Sequence, residues 1–397
     1  MTAIAGARAG RRRRRAGSSP WLVAGQGAAA LAVSMGIGRF VFTPILPLMH
    51  AQAGLSSSAG ALLATANYAG YLAGALAGIL VPSLARSAAV MRVSIVALLA
   101  TLALMPVTRA EAVWLALRLI AGVSTALIFI VAVSAALSHL RGHGHHLTGW
   151  AFGGVGAGIA LSGAMVLIVR VVGDWRAAWW AATGLAIVLA IGTWTLRPEP
   201  APDASAGTGA AGAPRTRRWF AALLASYSLE GVGYIIAGTF LVAAIEQGNP
   251  GWAGSGAWVL VGLAALPAPA LWAWLSRRWS WPSLLLAALV IQAVGIALPA
   301  VVGGVPAALV SAFLFGLTFI GIASMALAIG AHLQFPRAVA VLTTGYSVGQ
   351  ILGPLVVTPL LRHGYHQALL VGAVVVLAGA VAAGVLRIRF PQAVGDL

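Results

Sequence analysis

Three charged side chains lie deep within long apolar stretches of this sequence: Arg39, Arg118 and Glu230. In a membrane, such a charge costs about 2.5–3.5 kcal/mol on insertion scales and usually faces a cavity or a partner. A guanidinium matches the planar fork of a carboxylate, and a buried glutamate can exchange a proton. The three residues therefore predict a site that binds an anionic group and exchanges protons. The alternative interpretation is structural: Glu230 pairs permanently with one arginine, or an arginine bonds backbone carbonyl groups.

Polar side chains accompany these charges at helical spacing and predict a common lining. At about 100° per residue, a side chain three or four positions from a charge lies on the same helix face. Buried tyrosines are also commonly just packed and hydrogen-bonded, so a packing role competes with the lining role. The residues that share a face with a charge, or form a similar stripe in the second apolar stretch, are Thr43, Asn67, Tyr71, Tyr227 and Tyr234.

The composition requires membrane helices to position these residues. Of the 397 residues, 60% are hydrophobic and only 8% are charged, and the mean hydropathy is +0.96. A soluble domain carries about 25% charged residues, so most of this surface must face lipid. The chain has no cysteine, which excludes disulfides and thiol catalysis, and no lysine, which excludes a phosphate-binding P-loop. ATP-driven transport by this chain alone is therefore excluded, and we expect no cofactor.

Apolar stretches of about 20 residues, separated by Gly, Pro or charge, predict an all-α protein of twelve transmembrane helices. Six spans form a first bundle over 21–196, near 21–48, 57–81, 88–108, 111–138, 147–172 and 177–196. Six more form a second bundle over 219–389, near 219–245, 252–275, 281–301, 306–333, 337–361 and 365–386. Between the bundles, 197–218 is rich in Pro, Ala, Gly and charge, which is typical of a flexible linker. Residues 1–20 and 390–397 are expected to be tails.

The positions of the arginines predict the orientation of these spans. Of the 24 basic residues, all arginine, 18 fall in connections on the side of the N-terminus, 4 fall on the opposite side and 2 lie within spans. Cytoplasmic connections carry the excess of positive charge, so both termini and the linker are expected in the cytoplasm. The arginine-rich tail then lies beside anionic lipid headgroups, and nucleic acid is not expected as a partner despite the net charge of +17. We expect a multi-pass protein of the bacterial inner membrane.

Three short motifs recur in the second half of the chain at a nearly constant offset. MGIGRF (35–40) in span 1 corresponds to EGVGYI (230–235) in span 7, LTGWAFG (147–153) in span 5 to TTGYSVG (343–349) in span 11, and SHL (138–140) to AHL (331–333). Their common order, six spans apart, predicts a duplication in which both halves keep the same orientation. Such parallel repeats are typical of major facilitator transporters, whose substrate sites lie near the membrane midplane between the halves.

The stretch GIGRFVFTPILPLM (36–49) resembles the first-helix signature of the YbfB/YjiJ-like branch of the major facilitator superfamily, and YSVGQILGPLV (346–356) is similar to its eleventh helix. RLIAG (118–122) in span 4 resembles the superfamily's Arg-x-x-x-Gly pattern, which is tied to proton coupling in some members. The resemblance implies the major facilitator fold and a secondary transporter that moves a small organic solute by alternating access with protons as the coupling ion. Export fits the resemblance slightly better than import, and we expect a monomer. The alternative is an integral membrane enzyme that acts on a lipid or lipid-linked substrate.

Glycines and prolines in three of the spans predict close packing and bends. Small residues let helix backbones approach in a membrane, and we expect spans 5 and 11 to form the seam along which the two halves slide. Proline within a helix bends it, as expected in span 11. The residues assigned to packing and gating are Gly36, Gly38, Gly149, Gly153, Gly345, Gly349, Gly353 and Pro354.

The segment SHLRGHGHH (138–146) contains four histidines, and imidazole is a ligand for zinc, copper and nickel. No carboxylate or cysteine lies nearby in the sequence to complete a metal site. A soluble cytoplasmic loop is therefore favoured, and no metal site is predicted.

Overall fold

The computed structural model describes residues 19–139, 145–196, 216–388 and 390, and all regular structure within these ranges is helical. The arginine-rich tail up to residue 18, the C-terminal tail from 391, most of the linker and most of the histidine segment lie outside the described residues. The helix that follows the linker begins at Arg217, two residues inside the predicted linker range.

Within the described residues, the first half of the chain contains seven α-helices: α1 (Pro20–Leu31), α2 (Phe42–Ala53), α3 (Ser57–Leu80), α4 (Ala88–Leu104), α5 (Glu111–His139), α6 (His145–Val172) and α7 (Trp175–Thr193). The described residues of the second half contain another seven: α8 (Arg217–Gly248), α9 (Ala253–Ala265), α10 (Ala268–Leu275), α11 (Trp281–Val301), α12 (Gly304–His332), α13 (Ala338–Val357) and α14 (Tyr365–Leu386). A π-helical segment, Ala32–Arg39, joins α1 to α2. Eleven helical stretches among these residues are long and apolar enough to cross a membrane, and the pair α9–α10 makes a twelfth. The prediction of an all-α protein with twelve spans is confirmed.

The eighth span is broken rather than continuous, in contrast to the single helix predicted over 252–275. Its two parts, α9 and α10, are bent by 43° relative to each other. Pro267 lies at the break, where its missing N–H group and its ring prevent a regular helix from continuing. Pro354, by comparison, is accommodated inside α13, which continues to Val357.

The first span changes its helical register in the middle. Phe40 donates its backbone N–H to the carbonyl oxygen of Met35 at 3.2 Å, which is the five-residue spacing of a π-helix. Pro44 has no N–H group, and the N–H of Thr43 bonds the carbonyl oxygen of Phe40 at 3.2 Å. In a regular α-helix, the N–H group of Thr43 would bond the carbonyl oxygen of Arg39. That oxygen is therefore available to another donor.

Two glutamines make equivalent contacts in the two halves and support the predicted duplication. Gln52, at the end of the first span, accepts the backbone N–H of Trp175 through its Oε1 atom at 2.7 Å. Gln247, at the end of the seventh span, accepts the backbone N–H of Tyr365 at 2.9 Å. Each glutamine thereby satisfies an N–H group at the start of the last span of its half, where a helix has no internal acceptor.

The halves meet along three main helix pairs, since α6 packs against α9, α3 against α13 and α2 against α8. At the α6–α9 pair, an added Cβ atom at Gly262 would lie 2.2 Å from the backbone nitrogen of Ala160. One at Gly156 would lie 2.5 Å from the backbone nitrogen of Leu266. Only glycine permits such approach, so the two halves are in backbone contact along this seam.

The glycines of span 11 pack within their own half, in contrast to the seam predicted for them. An added Cβ atom at Gly345 would lie 2.5 Å from the hydroxyl oxygen of Ser228, and one at Gly349 would lie 2.4 Å from the carbonyl oxygen of Ser228. At Gly353 the corresponding distance to Ile235 is 2.5 Å. All of these contacts are with α8, because the small face of α13 lies against that helix while another face meets α3.

The two predicted packing glycines of the first span do lie in tight contacts. An added Cβ atom at Gly36 would lie 2.4 Å from the Cα atom of Gly158 in α6. One at Gly38 would lie 2.6 Å from the methyl group of Thr125 in α5. The π-helical segment is therefore held against both neighbouring helices.

Helix α6 offers a matched pair of glycines with which to test the seam. Gly156 touches α9, whereas an added Cβ atom at Gly149 would meet nothing within 4 Å. An added Cβ atom at Gly153 would lie 3.0 Å from the carbonyl oxygen of Leu266. We expect Gly156→Ala to lower the free energy of unfolding by about 1–3 kcal/mol, because the backbones must move apart. Gly149→Ala should change it by less than about 0.5 kcal/mol. Thermal unfolding in detergent measures both, and equal effects would contradict the seam.

Candidate functional site

Arg39 lies at the end of the π-helical segment and is 2% exposed. Its Nη2 atom donates a hydrogen bond to Oε1 of Gln350 in α13, at 2.7 Å, so the bond joins the two halves of the protein. Its guanidinium carbon is 4.7 Å from the ring centre of Tyr71, 4.9 Å from that of Tyr68 and 5.3 Å from that of Phe40. Aromatic faces stabilise a cation at such distances. Within the described part of the chain no carboxylate pairs with Arg39, and its Nε atom has no hydrogen-bond partner.

Arg118 donates hydrogen bonds to the backbone of the first span. It projects from α5, is 1% exposed, and donates to the carbonyl oxygens of Gly38 and Arg39, each at 3.4 Å. Its guanidinium carbon also lies 4.8 Å from the ring centre of Phe42. The carbonyl group of Arg39 is the one that the π-helical register leaves without its regular donor. The predicted alternative of an arginine bonded to backbone carbonyls thus describes Arg118, while the amide of Asn67 donates to the carbonyl oxygen of Arg118 at 3.1 Å.

Glu230 is completely buried in α8, and neither of its carboxyl oxygens has a hydrogen-bond partner. Gln292 of α11 is a polar neighbour, yet its amide atoms also lack hydrogen bonds of good geometry. Among the described residues the ion pair that forms is Arg170 with Glu246, at 2.8 Å, so the alternative of a fixed pair between Glu230 and an arginine is not observed. A buried carboxyl group without a cation is the arrangement expected of a group that carries a proton.

An aromatic array connects the neighbourhood of Glu230 with that of Arg39. The rings of Tyr227 and Tyr346 are stacked with their centres 4.4 Å apart, and Tyr234 lies 5.8 Å from Tyr346. Tyr234 is also 5.8 Å from Phe319, which in turn is 6.3 Å from Phe40 beside Arg39. The predicted residues Tyr227 and Tyr234 therefore belong to one continuous surface that reaches the guanidinium group.

Thr43 and Tyr68 bond the two halves to each other. The Thr43 hydroxyl donates to the carbonyl oxygen of Gly238 at 2.6 Å, and the Tyr68 hydroxyl lies 2.8 Å from Oγ1 of Thr239. Both bonds are buried and join the first half to α8. Thr43 thus closes the interface between the halves in this conformation.

Several residues of the site escaped prediction from the sequence. Tyr68 is one turn before Tyr71, so the stripe in span 2 could have included it. Tyr346 and Gln350 lie in the motif of span 11, but residue type alone does not indicate that a residue there is a partner of Arg39. Among the described residues no three His, Cys, Asp or Glu side chains come together in a group that could hold a metal ion.

Comparison with known proteins identifies the fold and the family. A family model described as "Uncharacterised MFS-type transporter YbfB" matches residues 31–384. The chain belongs to this family of major facilitator transporters. No curated protein matches it. The crystal structure of the nucleoside transporter NupG (D323A mutant) superimposes with a TM-score of 0.70 and 16% identity, covering 92% of this chain and 100% of that one. At this identity the likeness shows the shared fold, and the predicted family and fold are confirmed.

The transporter is closed at the end where α2 and α8 terminate. Arg170 of α6 pairs there with Glu246 of α8 across the two halves. The Tyr365 hydroxyl lies 2.5 Å from Nε2 of His50 and 3.1 Å from the hydroxyl oxygen of Ser57, again across the halves. These contacts, together with those of Thr43 and Tyr68, tie the halves of the transporter from this end as far as the buried site.

Two tyrosines of the transporter's site, Tyr71 and Tyr346, are only half-buried. On a helix, nine residues place Tyr71 on the face opposite the exposed Leu62. Two residues place Tyr346 about 200° around its helix from the exposed Val348. Both rings therefore face away from the outer surface of the bundle and toward its interior. Each lies on the side of the site nearer the end where α1 and α8 begin.

Proposed function

We propose that this transporter moves a small organic solute carrying an anionic group, that protons are the coupling ion, and that transport is directed out of the cytoplasm. The observation that carries the proposal is Arg39, a buried cation at the interface of the halves that is held by a neutral amide. A cation in this position lacks the counter-ion that burial of a charge requires. An anionic solute would supply it.

Glu230 is the proposed proton carrier. Burial of an unpaired carboxylate costs several kcal/mol, so its acid form fits the observed surroundings, where among the described residues no cation pairs with it and Gln292 is its polar neighbour. Tyr227, Tyr234 and Tyr346 lie within electrostatic range of both Glu230 and Arg39. An anion bound at Arg39 would therefore influence release of the proton, which is the linkage that coupled transport needs.

The half-buried tyrosines indicate the end from which the site is reached. They lie toward the end at which α1 and α8 begin, and the excess of arginine predicts that this end is cytoplasmic. The contacts of Arg170 and Tyr365 close the opposite end. The outward direction follows the family resemblance, and an exporter takes up its solute in a conformation of this kind.

Flux measurements in reconstituted vesicles test the proposal. Candidate small organic anions are presented to purified transporter with an imposed pH gradient, and neutral nucleosides serve as comparison solutes because the related fold of NupG belongs to a nucleoside transporter. We expect at least one anion to accumulate beyond its level in empty vesicles, and this excess to collapse with a protonophore. Transport of nucleosides alone would refute the anionic solute, and accumulation that survives the protonophore would refute proton coupling.

A further inference from the structure

The hydrogen bonds of Arg39 leave N–H donors free for a ligand. A guanidinium has five in-plane N–H donors, and here one Nη2 donor meets Gln350 while, among the described residues, the Nε donor has no partner. The centres of three aromatic rings lie 4.7, 4.9 and 5.3 Å from the central carbon of the group. The edge formed by Nε and Nη2 is therefore only partly occupied, and it has the shape that a carboxylate matches with two parallel hydrogen bonds.

Gln350 has the features of a substitute for such a ligand. Its amide oxygen accepts one hydrogen bond from Nη2 and brings no charge. A carboxylate in the same position would accept two bonds, from Nε and Nη2, in which both partners are charged, whereas in the bond to Gln350 only the donor is charged. Binding of the carboxylate would then displace Gln350 and release a bond between the two halves.

The rest of the ligand must meet aromatic rings. Tyr346 and Tyr71 are the half-buried rings of the site, and Tyr346 is nearly parallel to Tyr227 and Tyr234, at 12° and 18°. A further flat ring extends such an array by stacking, which an aliphatic group of equal size does not do. Arg118 already donates to two backbone carbonyl groups of the first span, so we place the carboxylate at Arg39.

We infer that the solute is a planar aromatic carboxylate, which binds Arg39 in place of Gln350 and stacks its ring in the interior lined by Tyr71 and Tyr346. The inference deepens the proposed function and rests on it, since it names the class of solute for the same site.

Binding of three small probes to the purified transporter in nanodiscs tests the inference by calorimetry without any gradient. Benzoate has one ring and one carboxylate, benzyl alcohol has the ring without the charge, and cyclohexanecarboxylate has the charge without a flat ring. We expect benzoate to bind at least about tenfold more tightly than benzyl alcohol, because the charge-assisted bonds are lost. We expect benzoate to bind about threefold to tenfold more tightly than cyclohexanecarboxylate, because only the flat ring of benzoate stacks. Equal affinity of benzoate and benzyl alcohol would overturn the assignment of Arg39, and equal affinity of the two carboxylates would overturn the aromatic class.

Two variants at one position provide the matched control. Gln350→Glu places a permanent carboxylate beside Arg39, so we expect benzoate binding to fall at least about tenfold while the midpoint of thermal unfolding is maintained or rises. Gln350→Leu removes the competing acceptor, and benzoate should bind it at least as tightly as it binds the unaltered transporter. Undiminished binding to Gln350→Glu, or loss of binding in Gln350→Leu, would refute displacement of the glutamine.

The outcome is separable from that of the flux test. Benzoate that binds as expected in a transporter whose flux ignores the pH gradient would remove proton coupling and leave the inference in place. Coupled flux of a non-aromatic anion, with no binding of benzoate, would remove the inference and leave the proposed function in place.

Discussion

Arg39→Lys is expected to lower the initial rate of solute transport at least about 30-fold, although the positive charge is retained, because breaking a buried charged hydrogen bond costs about 2 kcal/mol or more. Lysine carries its donors on one rotating ammonium group and cannot present two parallel N–H bonds in a plane. Its ammonium is also more strongly hydrated than a guanidinium, so the surroundings of Tyr68 and Tyr71 suit it less well. Initial rates in reconstituted vesicles measure the effect.

Arg176→Lys is the matched control, since Arg176 is exposed and lies near one end of the bundle. We expect its transport rate to stay within about twofold of the unaltered protein, as is usual for surface changes. If Arg39→Lys also stays within that range, recognition by a planar fork is wrong and Arg39 contributes only charge balance.

Glu230→Gln is expected to abolish pH-driven accumulation while leaving exchange of solute across the membrane intact. Glutamine has nearly the same shape as the protonated acid but cannot release a proton. Exchange of one proton for one monovalent anion moves two charges across the membrane, so the membrane potential is held at zero. Under that condition each pH unit of gradient supports about tenfold accumulation in the unaltered protein, since one unit is worth 1.36 kcal/mol. The variant should reach a ratio of about one at any gradient, because its proton stoichiometry is zero. Accumulation and counterflow measured in the same vesicles separate the two activities.

Glu246→Gln controls for loss of a half-buried carboxylate elsewhere in α8. Glu246 is paired with Arg170 at the closed end, so its replacement weakens closure without removing the proposed proton carrier. We expect solute accumulation by Glu246→Gln to increase with the pH gradient, as it does in the unaltered protein. Accumulation by Glu230→Gln that rises with the pH gradient would show that another group carries the proton.

The span pattern and the family could be predicted from the sequence because lipid imposes a length and a composition on each helix. The predicted bounds of the twelve apolar stretches are close to the observed bounds of the helices, and the differences have local causes. Pro267 breaks the eighth span, and Pro44 shifts hydrogen bonding in the first. The signature around Arg39 is continuous in the chain, so it could be recognised without knowledge of the fold.

The partners of the charged residues could not be predicted in the same way. Arg39 and Glu230 were both identified as unusual, and a pairing between them was a reasonable alternative. In the structure Arg39 bonds Gln350, 311 residues away, and Glu230 faces Gln292 with no bond of good geometry. Helical periodicity assigns a residue to a face of its helix but does not state which neighbouring helix meets that face.

The sequence by itself determined the membrane class, the number of spans and the short set of buried charges. Each of these depends on composition or spacing along one helix. Only the tertiary structure decided that Arg118 supports the first span, that the glycines of α13 face α8, and that Gln350 occupies the edge of Arg39. The physical reason is that lipid is as apolar as the packed interior, so hydrophobic pattern distinguishes inside from outside only weakly in a membrane protein. Close packing and individual hydrogen bonds select the neighbours, and these are properties of the assembled bundle.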